Sequence, residues 1–121
     1  MQEQPSLAPC PNSPNCVSSL SQDPEQYVDP FSYSGSVTDA KAKLHSLFKE
    51  SPRTHVVTDT DTYLHVEISS FLFRFVDDVE FLFDEEQKLI HVRSASRTGY
   101  WDVGVNRKRI EALHKKFLSP A

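Results

Sequence analysis

Asp78-Val79-Glu80-Phe81-Leu82-Phe83, the turn Glu85-Glu86-Gln87-Lys88 and the run Leu89-Ile90-His91-Val92-Arg93-Ser94-Ala95 decide the fold. Val79, Phe81 and Phe83 alternate with Asp78, Glu80 and Leu82, the period of two that marks a strand with one buried face. The second run alternates as well, and the short polar turn between the two closes a hairpin. Pairing Phe83 with Ile90, Phe81 with Val92 and Val79 with Ser94 keeps the apolar side chains on one face. The same register sets Glu80 opposite Arg93 on the other. A slip of one residue would bring apolar positions against charged ones, so the pattern selects its own register.

Two more strands precede this hairpin. Residues 53–59 carry the β-branched Thr54, Val56, Val57 and Thr58. After the turn Asp59-Thr60-Asp61, Leu64, Val66 and Ile68 alternate with Tyr63, His65 and Glu67. Successive alternating strands argue for an antiparallel sheet with one buried face. Between the two hairpins, Ser69-Ser70-Phe71-Leu72-Phe73-Arg74-Phe75-Val76 is apolar on both parities. That pattern predicts a core-filling segment, with an apolar lid over a ligand pocket or a membrane-touching loop as the functional alternative.

Helices flank the strands. Ser36 and Asp39 form a variant of the capping box, and Val37, Ala40, Leu44, Leu47 and Phe48 then recur on one side. This predicts an amphipathic helix over 37–49, stopped by Ser51-Pro52 because the residue before proline avoids the α region. Ile110, Leu113 and Phe117 are spaced i, i+3, i+7 and predict a second amphipathic helix from near Asn106. The first thirty residues hold six of the eight prolines and no apolar period. They read as a coil or wrapping arm, since proline removes ladder donors and blocks helix interiors. The predicted fold is therefore α+β: a four-stranded antiparallel sheet packed against two amphipathic helices, with a Pro-rich N-terminal arm. The domain reading is an arm with a Cys pair over 1–30 and a single α+β domain over 31–121.

The chain has 121 residues, a length that suits one core and not two. A composition 38% hydrophobic and 11% aromatic excludes a wholly disordered chain. No run approaches the ~20 apolar residues of a membrane helix. Nine acidic residues against Arg74 lie in 57–86, and seven basic residues against Asp102 and Glu111 lie in 93–116. Neighbouring segments of opposite sign neutralise one another. With a net charge of −4 this argues against a nucleic-acid partner.

Cys10 and Cys16 stand in a C-x5-C spacing on the Pro-rich arm. Zinc would need further ligands, and the spacing is not that of a redox pair. The pair is a disulfide candidate in an oxidising compartment, with two free thiols as the alternative. The five histidines are scattered, and no Gly-rich phosphate loop or nucleophile elbow is present. No metal and no cofactor is expected. The densest polar constellation runs from Arg93 to Arg109, where a strand hands over to a helix. Arg93, Ser94, Ser96, Arg97, Asn106, Arg107 and Arg109 would surround a helix N-terminus, which favours an anion. Tyr100 and Trp101 would add amphipathic surface. The alternative makes Asp77, Asp78 and Glu80 structural ion-pair partners of Arg93 and Arg97, with Asp102 or Asn106 capping the helix.

Three blocks of sequence, residues 10–19, 75–81 and 90–109, together resemble one family, catalogued as domain of unknown function 1499 and found in bacteria and photosynthetic eukaryotes. The likeness runs from about Leu7 to Phe117. It implies one compact domain, often secreted, lipid-anchored or chloroplast-targeted, and carries over no activity and no catalytic residue.

The start at Met1 shows neither a basic nor an apolar leader. A complete chain is thus expected in the cytoplasm; a chain that has lost a targeting segment is expected in the periplasm, on a lipid anchor or in a plastid. The functional expectation is a non-enzymatic binding module for a small anionic or amphipathic ligand, held between sheet and helices near Phe71, Phe73, Phe75 and the 93–109 segment. One alternative is a hydrolase or lyase using Asp77, Asp78, Glu80 and His91. Another is a purely structural or protein-interaction domain, so the partner expected is a small ligand or a protein.

Overall fold

The computed structural model describes residues 6–69, 75–99, 102 and 104–119. In chain order the elements are β1 (Cys16–Ser18), β2 (Phe31–Ser32), α1 (Val37–Lys49), β3 (Thr54–Asp59), β4 (Tyr63–Ser69), β5 (Val76–Asp84), β6 (Leu89–Ser96) and α2 (Val105–Leu118). Among the described residues the sheet is ordered β1-β6-β5-β4-β3, with β2 also paired to β6, and these strand pairings are antiparallel, while Ser18 also bridges Tyr27 in parallel.

The central hairpin takes the register its hydrophobic pattern selects. Phe83 pairs with Ile90, Phe81 with Val92, Val79 with Ser94 and Glu80 with Arg93. The helix α1 spans the predicted residues. Ser36 Oγ accepts from the Asp39 N–H at 3.0 Å, satisfying one of the donors a helix start leaves open. Ala40, Leu44 and Phe48 form its buried stripe.

Where four strands are expected, the sheet has six among the described residues. The extra pairings, Cys16 to Ser18 against β6 and Phe31 with Ser32 against the other end of β6, come from segments of three and two residues. An alternation cannot be read over so short a span, and Cys16, Val17 and Ser18 are all buried. The segment 70–74, with Phe71 and Phe73 of the expected apolar lid, lies outside the described residues.

Both helices cover one face of the sheet. Leu64, Val66, Val79, Phe81, Ile90 and Val92 are buried beneath them, each such side chain contributing about 1.5–3 kcal/mol on burial. Phe31 anchors this core. Its ring lies 6.2 Å from Phe81, 5.6 Å from Phe117 and stacks on His114 at 4.4 Å.

Candidate functional site

The three sequence blocks meet at one end of the sheet, where β1, β5, β6 and the start of α2 converge. Asn106, with no exposed surface, is the hub. Its Nδ2 donates to Asp102 Oδ2 at 2.7 Å, Ser96 Oγ at 3.0 Å and the Asn15 carbonyl at 3.2 Å. Its Oδ1 accepts from Ser94 Oγ at 2.5 Å and from Arg109 Nη1 at 3.0 Å. Arg109 continues to Asp77 at 2.8 Å, a carboxylate that is itself buried. Asn15, in the N-terminal loop, donates to the Gly99 carbonyl at 2.7 Å and accepts from Ser13 Oγ at 2.7 Å.

Asp102 closes the helix end. One carboxylate oxygen accepts from the Gly104 N–H at 2.8 Å and the other from the Asn106 N–H at 3.0 Å. Burial raises the Asp102 carboxyl, but these backbone donors and the Asn106 side chain outweigh it and hold it below the ordinary carboxylate range. Donors that a helix start offers an anion are thereby bonded to the chain's own carboxylate. Gly104 stands before the helix at φ +77°, a left-handed conformation that favours glycine.

Alternation sends the other candidates to the opposite face. There Glu80 accepts from Tyr63 Oη at 2.5 Å and pairs with Arg93 at 3.4 Å. Asp78 lies 2.8 Å from His65 Nε2 and 2.7 Å from Arg97, which also reaches Glu67 at 2.5 Å. Burial pushes the Asp78 carboxyl up, yet Arg97 and His65 together hold it below its usual range. Burial first, then Glu80, pushes the Tyr63 phenol above its ordinary value. The bonds to Asp78 and Glu67 raise the Arg97 guanidinium in turn.

The nine ligand-binding candidates are thus divided. Ser94, Ser96, Asn106 and Arg109 share the helix-side network, with Asp77. Arg93 and Arg97 lie across the sheet from them, with Asp78 and Glu80. Arg107 points elsewhere and donates to the Glu25 carbonyl at 2.8 Å. Tyr100 and Trp101 lie outside the described residues. Asp77, Asp78, Glu80 and His91 are likewise not brought to one cleft, because Asp77 and Asp78 are neighbours on β5 and face opposite sides. His91 contacts Ser19 Oγ through Nδ1 at 3.2 Å.

Cys10 and Cys16 are joined in a disulfide, which closes the loop that carries Asn15 into the network. Among the described residues no group of three or more His, Cys, Asp or Glu side chains could hold a metal ion, and no helix is long and apolar enough to cross a membrane.

Sequence reasoning missed Asn15, Glu67 and one cavity. Glu67 shares its face with Asp78 because the two are paired across β4 and β5, a register the isolated strands do not announce. The cavity, of about 200 Å³, opens between the end of α1, β4 and α2. Leu47, Phe48, Ile68 and Leu113 supply its apolar wall, and Arg109 and Lys116 line it beside them. Residues from three elements meet there, so no single periodicity marks it.

No curated protein matches the chain. The family model for proteins of unknown function (DUF1499) matches residues 6–117, blocks and buried hub included, and the chain belongs to that family.

Proposed function

We propose that the domain is a non-enzymatic binding module for a short amphipathic anion, held in the groove between α1, β4 and α2. The observation that carries the reading is the pairing of an apolar wall, Leu47, Phe48, Ile68 and Leu113, with the cations Arg109 and Lys116. Arg109 is engaged by Asp77. Lys116 has no ion-pair partner among the described residues and supplies the charge for an incoming carboxylate. A volume of about 200 Å³ lies below the roughly 300–1,000 Å³ of pockets for drug-sized ligands and suits a short aliphatic chain. The commitment of Asp77, Asp78 and Glu80 to arginine partners supports a binding role over a hydrolytic one, since a general base needs a free and poised carboxylate.

Titration calorimetry with hexanoate and with hexanol at low ionic strength tests the reading. Hexanoate binds more tightly than hexanol, Lys116→Ala weakens hexanoate about three- to tenfold, and Leu113→Trp, which fills the groove, abolishes binding. Equal or absent binding of the acid and the alcohol overturns it. The Cys10–Cys16 disulfide supports an oxidising location, periplasmic, lipid-anchored or plastid, over a reducing cytoplasm.

A further inference from the structure

The strand β3 ends the sheet. Among the described residues it pairs with β4 alone, and Val56 and Val57 on it are 39% and 46% exposed. An edge whose N–H and C=O groups meet no other strand among the described residues, with exposed valines beside them, is a template for another strand. The β3–β4 pairing carries a bulge: Val56 faces Val66 and Thr58 faces His65, leaving Val57 as the extra residue.

That bulge sets the symmetry of the strand. The Arg53 carbonyl accepts from the Ser69 N–H, and the Thr60 N–H donates to the Tyr63 carbonyl. By antiparallel alternation His55 and Thr58 also aim their backbone groups at β4, while Thr54 and Asp59 aim theirs outward. The faces follow the same order. His55 and Thr58 stand opposite Glu67 and His65, on the face away from the helices. Thr54 and Asp59 stand opposite Ile68 and Leu64, on the helix side, where Asp59 meets Lys41 at 3.0 Å and His45 at 2.9 Å. With the extra Val57 set aside, β3 presents the same sequence of outward and inward groups and of faces read from either end, centred on Val56. An unbulged strand of six residues would not, because its two ends would fall on opposite faces.

We propose that β3 pairs antiparallel with β3 of a second copy of this chain, about a two-fold axis at Val56. In that register Thr54 faces Asp59, His55 faces Thr58 and Val56 faces the Val56 of the second copy, with Val57 left as the extra residue of each strand. Outward backbone groups meet outward groups, and each side chain meets one on its own face. Shifting by one residue in either direction sets outward groups against inward ones. Asp59, the carboxylate of the strand, meets a threonine, so no like charges oppose. Pairing stops at two copies. The opposite edge is the three-residue β1, whose Ser18 N–H already donates to the Gln26 carbonyl at 2.8 Å, so the contact is isologous and closed.

Six residues a side make a small interface, and the dimer is accordingly weak and concentration-dependent. Sedimentation equilibrium of the full chain from 1 μM to 1 mM reads it. The weight-average mass rises toward twice the monomer across that range, and Val57→Lys shifts the midpoint upward at least tenfold. Leu118→Ser, an exposed residue elsewhere, leaves the midpoint in place. Amide hydrogen exchange gives a second reading that needs no variant: the Thr54 and Asp59 amides exchange at least threefold more slowly at 1 mM than at 1 μM. A monomer throughout, with equal exchange at both concentrations, overturns the proposal and leaves the edge open to an extended segment of another protein. A dimer insensitive to Val57→Lys, with Thr54 and Asp59 unprotected, overturns it in favour of a different face.

Discussion

Asp102 and Asn106 occupy the place where an anion was expected, and they do so by charge and geometry. The helix start needs acceptors for its open N–H groups, and Asp102 meets two of them while accepting a third bond from Asn106. Because its folded carboxyl lies below the ordinary value, the stability it contributes is fully present above the unfolded pKa of about 3.9. That stability is lost as pH falls through the folded value. Asp102→Asn keeps the shape but surrenders the charge, and at pH 7 it should cost about 2 kcal/mol. Urea melts at stepped pH check the sign: wild type and variant converge as pH drops from about 5 to 2. A constant gap over that interval would show that the charge is not what holds the helix end. The residues themselves were legible as candidates, Asn106 as a site and Asp102 as a cap. That Asn15 would join them from 91 residues away was not, since nothing in the loop Pro11-Asn12-Ser13-Pro14-Asn15 distinguishes one asparagine from the other.

At the scale of elements, local rules decided most of what was visible. The α1 cap is a three-residue signal, and Ser36→Ala should lower stability by about 1 kcal/mol with the fold intact, measured by thermal melting with a Ser36→Asp control that retains the cap. The β5–β6 hairpin was legible down to its register because nine residues of strict alternation leave one way to keep Val79, Phe81 and Phe83 covered. By contrast β1 and β2 were not legible. Cys16, Val17 and Ser18 are buried because β6 offers an edge to pair with, and that edge exists only once β5 has taken the other side. The bulge in β3 is likewise absent from Thr54-His55-Val56-Val57-Thr58-Asp59 read alone. It arises where a strand of one length must match a neighbour of another.

Over the whole molecule, the disulfide ties the N-terminal loop to the sheet edge and, through Asn15, to the start of α2. Closing so short a loop restricts the unfolded chain by ~2–3 kcal/mol on the loop-entropy account. Reduction should therefore lower the denaturation free energy by about that amount, read by urea melts with and without reductant, and a Cys10→Ser/Cys16→Ser variant should be insensitive to reductant. Equal stability of the oxidised and reduced forms would mean that the loop holds its place by hydrogen bonds alone. The sequence by itself determined the α+β class, the two amphipathic helices, the four longer strands and the family, because periodicity, caps and turns act over a few residues and are written in order along the chain. Only the tertiary structure decided which arginine meets which carboxylate. Asp77 and Asp78 are one residue apart, yet the pleat sends one to Arg109 beneath α2 and the other to Arg97 on the far face. The groove at Leu47, Ile68 and Lys116 and the symmetry of β3 have the same origin: they belong to the distances between elements, which close packing sets and no single stretch of chain contains.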